Sequence, residues 1–209
     1  VVGGITFGRE WTQILTRRGT VFPFAELGPT LSEPDLTVAF LGGGVGDAGE
    51  SMPALRNPLR SSPLVALVIA DAGIDAVSIA DPHVMDYGGA GLAGTRHALM
   101  NAGVETFGAG INDTLARMVS LHGAGGMSVA CLGYLHGARR SHAGQQEPGT
   151  NPSLPSYVRE DVANASASAD VVLVFYNWGQ ADGDAVDGKQ RLFARMAIDA
   201  GATAVFGVR

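Results

Sequence analysis

The sequence predicts a layered α/β domain, and three observations carry that prediction. A local unit recurs: an amphipathic helix, a small-residue-Gly stop, then a short apolar strand. Asp71-Ala72-Gly73 leads into residues 74–80, Asn101-Ala102-Gly103 into 104–107, and Asp199-Ala200-Gly201 into 202–206. Glycine just past a helix end supplies the left-handed residue that closes the last turn. Residues 171–175, Val-Val-Leu-Val-Phe, form an unbroken apolar run, as expected of a strand covered on both faces. Finally, the 209 residues are 46% hydrophobic and 16% charged, enough for a sizeable core and against general disorder.

Taken in order, strands are predicted at 1–7, 35–41, 127–134 and 170–176, besides those of the recurring unit. Before Gly73, Ser62 can cap a helix, Pro63 suits its first position, and Leu64, Leu67 and Val68 share a face. Leu192, Phe193, Met196 and Ala197 do the same in the last helix. Residues 135–155 hold Gly, Ser, His, Gln and Pro without periodicity and read as a long surface loop within one domain, 1–209. In α/β sheets ligands sit beyond the carboxyl ends of the strands. Here those ends collect Gly8-Arg9-Glu10, Gly42-Gly43-Gly44, Asp81-Pro82-His83, residues 108–112 and Asn177-Trp178-Gly179.

The net charge of -6 and pI near 5.2 argue against a nucleic-acid partner or an anionic-membrane face, and the pairs Arg17-Arg18 and Arg139-Arg140 are too few to make one. Cys131 sits in an apolar run, cannot form an internal disulfide and reads as a small core hydrophobe. No apolar stretch reaches the ~18 residues of a membrane span. Both ends look cut, the domain being expected as truncated at its C-terminal end. Gly44-Val45-Gly46-Asp47-Ala48-Gly49 matches a dinucleotide-binding pattern, but Pro53 and Pro58 oppose the helix that pattern needs, so a flexible loop is expected. Asp182, Asp184 and Asp187 lack a terminal bidentate carboxylate and read as a solvated loop, not a calcium site. His97, His122, His136 and His142 are scattered and indicate nothing definite.

Several of these segments resemble one family. Asp81-Pro82-His83-Val84-Met85-Asp86-Tyr87-Gly88 with Gly91-Leu92 and Thr95 resembles A-N-N-H-x-x-D-Y-G-x-x-G-L-x-x-T. Residues 101–112 resemble A-G-…-G-A-G-x-N, residues 169–179 resemble A-D-V-V-I-V-x-x-H-W-G, Gln190 with 198–202 resembles Q…I-D-A-G-A-D, and residues 3–9 resemble G-D-I-M-L-G-R. These are patterns of the CapA/PgsA family, proteins of poly-γ-glutamate capsule synthesis. The resemblance covers nearly the whole chain, most weakly at 10–60 and 135–155. It implies a metallophosphoesterase-like (calcineurin-like) sheet sandwich flanked by helices, in bacteria, membrane-associated or extracytoplasmic.

The resemblance also implies a dinuclear metal site, and here the sequence departs from it. The first Asp is Gly4, N-L-E is Phe40-Leu41-Gly42, N-N-H is Asp81-Pro82-His83, and the His of H-W-G is Asn177. G-x-H-P-H survives only as Gly207-Val208-Arg209. Glycine, phenylalanine and proline side chains cannot ligate a metal, so no resident metal is expected. The alternative is a divalent metal such as Mn or Zn on relocated ligands. His83 keeps the position whose imidazole would protonate a leaving group; it reads equally as a hydrogen-bonded loop residue. Asp81 and Asn177 join it as candidate catalytic residues or as ligands of a mononuclear site. Asp86 and Tyr87 read as caps of a helix starting near Gly88. By resemblance, Arg9, Tyr87, Gly110, Asn112 and Trp178 are candidate substrate-binding residues. The ligand expected is an acidic polymer or small molecule. Three functions stand open: a binding module or metal-free enzyme of capsule synthesis, a metal-dependent hydrolase with relocated ligands, or a specialised-metabolism enzyme reusing the scaffold.

Overall fold

The computed structural model describes residues 1–8, 10–53, 55–178 and 185–208. The first sheet is fully parallel, in the order β1 (Gly4–Thr6), β2 (Val38–Gly42), β3 (Ala76–Ser78), β4 (Glu105–Phe107). The second comprises β5 (Ser120–Ala124), β6 (Met127–Leu135), β7 (Val171–Asn177) and β8 (Ala204–Val208). Its spatial order is β8-β7-β6-β5, with β5 antiparallel to β6 and the rest parallel. In register, Phe40 lies opposite Gly4 and Ser78, and Phe175 lies opposite Gly133 and Phe206.

Side chains that alternate across a strand separate the layers. Val38, Phe40, Ala76 and Phe107 of the first sheet face Val129, Cys131 and Phe175 of the second and form the inter-sheet core. Ala39, Leu41 and Val77 point the other way, onto α2 (Leu64–Asp71) and α3 (Gly88–Asn101), which follow α1 (Trp11–Arg18). Ala130, Leu132, Tyr134, Val172, Val174 and Tyr176 cover the opposite outer face with α4 (Pro155–Ser166) and α5 (Gly188–Asp199). The result is helix, sheet, sheet, helix: the layered sandwich expected from the sequence.

The recurring helix–glycine–strand unit joins α2 to β3, α3 to β4 and α5 to β8, with Gly73, Gly103 and Gly201 at φ 79°, 82° and 113°. Gly108 and Gly133 serve a different purpose, because there the two sheets approach backbone to backbone. A Cβ on Gly108 would stand 3.1 Å from the Gly133 Cα.

Two helix faces differ from expectation. α2 buries Val65, Ala66, Val68 and Ile69 and leaves Leu67 exposed, while α5 buries Phe193, Met196 and Ala197 and leaves Leu192 exposed. α2 thus lies on its sheet rotated from the stripe that spacing alone suggested, whereas on α5 three of the four expected residues are buried and Leu192 alone lies outside the covered face. Residues 135–155, expected as a surface loop, contain a 3-10 turn at Arg139–Ser141 and a two-residue strand, Gly149–Thr150, pairing with Ala109–Gly110. Ser141, Thr150 and Asn151 of that stretch are buried. Residues 44–49 form no helix; Gly44–Val45 is a short strand beside Arg60–Ser61. Asp187 caps α5 through a capping box with Gln190, and Asp182 and Asp184 lie outside the described residues.

Candidate functional site

The carboxyl ends of the parallel strands of both sheets meet at one place. β3 delivers Asp81 three residues past its end, β2 delivers Gly42-Gly43, and Asn177 is the last residue of β7. Asp81 ties them together. Its Oδ1 accepts from the backbone N–H of Gly43 at 3.1 Å and of His83 at 2.8 Å, and its Oδ2 accepts from Asn177 Nδ2 at 2.9 Å. Burial pushes the Asp81 carboxyl above its ordinary range, and these hydrogen bonds only partly offset that.

His83 is the second residue of a single 3-10 turn, Pro82–Met85, entered through Asp81 as N-cap. One turn on, Asp86 Oδ2 lies 2.8 Å from His83 Nδ1 and also accepts from Leu59 N–H at 2.9 Å. The Asp86 side chain is 2% exposed and that of His83 44%. A buried carboxylate on Nδ1 fixes the proton there and leaves Nε2 as the nitrogen that meets a ligand. Asp86 therefore does not cap the helix at Gly88, as its position suggested; it orients His83. The i, i+3 spacing within Asp81-Pro82-His83-Val84-Met85-Asp86 was the signal, since three residues is one 3-10 turn.

Beside His83 opens a cleft of about 750 Å³, lined by Pro82, His83, His136, Arg139, Arg140, Trp178, Asp187 and Lys189. Trp178 forms a wall, stacked on Tyr176 with ring centroids 4.4 Å apart and planes at 14°. His136 bonds Ser153 Oγ through Nδ1 at 2.9 Å. Burial lowers His136 from its ordinary value, and Lys189 adds to that. Arg139 and Arg140, dismissed at the sequence level as an isolated pair, join Lys189 here because the chain folds back from β6 across the strand ends. Nothing in the local sequence announces that juxtaposition.

The structure thus brings together Asp81, His83, Asn177 and Trp178. Other candidates lie elsewhere. Tyr87 is buried, with the Arg60 guanidinium 3.8 Å over its ring. Gly110 pairs with Gly149, and Asn112 caps the short helix Asp113–Ala116 by accepting from Leu115 N–H at 2.9 Å. Arg9 lies outside the described residues.

The positions at which the sequence resemblance implies metal ligands hold Gly4, Phe40-Leu41-Gly42, Asp81, Pro82 and Asn177. Among the described residues, no three His, Cys, Asp or Glu side chains converge as a metal-holding group. Among those residues, too, no helix is long and apolar enough to cross a membrane.

Comparison with known proteins bears on these features. The chain is 26% identical over 215 residues to the capsule biosynthesis protein CapA of Bacillus anthracis, covering 99% of this chain and 52% of that protein. It is 29% identical over 142 residues to the PGA biosynthesis protein CapA of Bacillus subtilis (strain 168), covering 67% and 37% respectively. The chain therefore spans about half the length, or less, of these curated relatives. Among solved structures, a hypothetical protein from Thermus thermophilus shares the fold at TM-score 0.50 and 16% identity, over 91% of this chain and 62% of that one. A family model described as bacterial capsule synthesis protein PGA_cap matches residues 1–209. The chain belongs to that family.

Proposed function

We propose that this chain acts in capsule or poly-γ-glutamate biosynthesis as a metal-independent module that holds an acidic polymer, or a smaller acidic ligand, in the Trp178 cleft. The observation that carries this reading is the grouping of Arg139, Arg140 and Lys189 with the oriented His83 on one 750 Å³ cleft. Cations grouped on one cleft complement carboxylates repeating along a ligand, and Trp178 gives that ligand a flat apolar surface. A two-cation centre needs several carboxylate, amide and imidazole donors on each ion. The donors here do not supply them: Asp81 is already committed to three hydrogen bonds, and Gly4, Leu41 and Pro82 offer no side-chain donor. Where the bound ligand presents a group of matching basicity, His83 Nε2 is placed to take or give a proton. CapA relatives named for capsule and PGA biosynthesis support the same assignment of pathway.

Titration calorimetry with γ-linked glutamate oligomers in chelator tests this. We expect binding that survives chelation and weakens at least about tenfold in the Arg139→Glu/Arg140→Glu variant, consistent with loss of two charge-assisted contacts. One or two ions per chain by elemental analysis, with binding abolished by chelator, would overturn it in favour of a metal-dependent hydrolase with relocated ligands.

A further inference from the structure

β5 closes the second sheet at the end away from β8. It pairs with β6 along all five of its residues without a bulge, and among the described residues no strand lies on its other side. The hairpin decides which backbone groups are left over. Gly125 and Gly126, at φ 58° and 79°, make a two-residue turn of the I′ kind, and the pair flanking such a turn exchanges both its hydrogen bonds. That pair is Ala124 with Met127, so His122 with Val129 and Ser120 with Cys131 bond in the same way. Leu121 and Gly123 therefore turn their N–H and C=O groups outward, and both residues are exposed.

Open edges are commonly guarded by Lys, Pro, a bulge or an inward charge. This one has none of them. Residues 118–128 contain no Asp, Glu, Lys, Arg or Pro, although the whole chain carries a net charge of -6. Met118, Leu121 and Met127 are 59%, 56% and 49% exposed along it. Carboxylates at its margins are engaged: Glu105 of β4 accepts from Ser120 Oγ at 2.8 Å, and Asp170 accepts from Ser128 N–H at 2.8 Å.

The edge is also complementary to itself. A second β5 laid antiparallel about a two-fold axis through His122 sets Leu121 opposite Gly123 on both sides of the axis. Every outward N–H and C=O of those two residues then finds a partner. On the same face, each Leu121 side chain stands beside a glycine of the other copy, where even an added Cβ would meet nothing within 4 Å of its own chain. The projection on one copy fills the gap on the other, as a two-fold interface requires. Being uncharged, the run does not repel its own copy.

We propose that this edge is a docking surface for a second copy of the chain, β5 pairing with β5 so that the two second sheets become one continuous sheet. None of residues 118–128 lines the Trp178 cleft, so both clefts stay open in the dimer.

Sedimentation velocity across roughly 1–300 µM protein tests this, the range in which interfaces at the small end of the stable class associate. The mass is expected to rise with concentration toward twice the 21.5 kDa of the chain. Leu121→Lys puts a solvated charge where the leucine meets the glycine. Gly123→Pro removes an outward N–H and leaves the ladder to β6 whole. Each should weaken association at least about tenfold, and Leu121→Lys, which replaces an exposed side chain, should keep the parent's circular dichroism. Leu192→Lys on α5, where the leucine is 57% exposed, should associate like the parent. In the parent, amide exchange at Leu121 and Gly123 should slow as concentration rises. A monomer throughout the range, a dimer that both β5 variants leave intact, or a dimer in which those two amides exchange as fast as in dilute protein would each overturn the proposal.

Discussion

At the scale of single residues, the Asp86 carboxylate decides what His83 can do. It accepts from both His83 Nδ1 and Leu59 N–H on one oxygen, from a position nearly closed to solvent. Asp86→Asn keeps an oxygen for Leu59 but removes the charge that holds the proton on Nδ1. Long-range ¹H–¹⁵N correlation should show a single Nδ1–H tautomer for neutral His83 in the parent protein and a mixture in Asp86→Asn. A single, unchanged tautomer in that variant would mean that the carboxylate does not orient the ring. Asp86→Ala goes further and leaves the Leu59 N–H unpaired. That should lower stability by about 1 kcal/mol, the low end of the cost of an unsatisfied donor, since Leu59 is only half-buried. The comparison separates orientation from structural support, because only the alanine variant should move the denaturation midpoint appreciably.

At the scale of elements, Phe175 joins the two sheets. Its ring meets Phe40 and Phe107 of the first sheet edge-on, at 5.2 Å each, and stacks on Phe206 of β8 at 5.3 Å. Phe175→Ala should cost about 3–5 kcal/mol, the range for a buried aromatic truncated in a packed core. Phe175→Leu should cost less, since it keeps most of the volume. Urea denaturation would read this as a lower midpoint at unchanged slope; a loss under about 1 kcal/mol would mean that the sheets are held elsewhere. The apolar runs that make this contact were legible in the sequence because parallel strands covered on both faces leave little room for polar residues. β5 was not legible. Its Ser-Leu-His-Gly-Ala is an edge strand with weak alternation. The available signal was Gly125-Gly126, a two-residue hairpin turn at φ 58° and 79° joining it to β6. In the site, strand-end residues such as Asp81 and Asn177 could be picked out because sheet topology dictates where strands deliver them. The cationic wall could not, since Arg139, Arg140 and Lys189 come from segments brought together only by the completed fold. Leu67 of α2 and Leu192 of α5 fall outside the covered faces for a related reason: spacing defines a stripe, but docking on a twisted sheet decides which edge of it is covered.

At the scale of the whole molecule, the segment 135–155 couples the cleft to global stability through its two histidines. His136 packs against Phe193 at 5.1 Å between ring centroids, and burial lowers it from the ordinary 6.5, with Lys189 acting the same way and Asp187 opposing. Burial likewise lowers His142, the Gly137 carbonyl opposing and Arg139 and His136 adding to the effect. In both cases the folded state prefers the neutral ring, so the unfolded chain binds more protons as pH drops below 6.5. Stability from these groups is therefore fully present above 6.5 and is lost as pH falls through their lower folded values. The half-buried carboxyls of Asp81 and Asp161 work in the other direction. Burial raises each above 3.8, for Asp161 despite its pairing with Arg117, so their ionisation costs stability as pH rises from 3.8 through their folded values. Melting temperature should accordingly drop on acidification from about pH 7.5 into the histidine range. The His136→Gln/His142→Gln variant should show a flatter profile in that interval, because its side chains there carry no proton to gain. A variant profile parallel to the parent's would assign the acid sensitivity to other groups. A flatter one would make the 135–155 segment the part of the fold whose packing against β6, α5 and the His83 turn is undone first by protons.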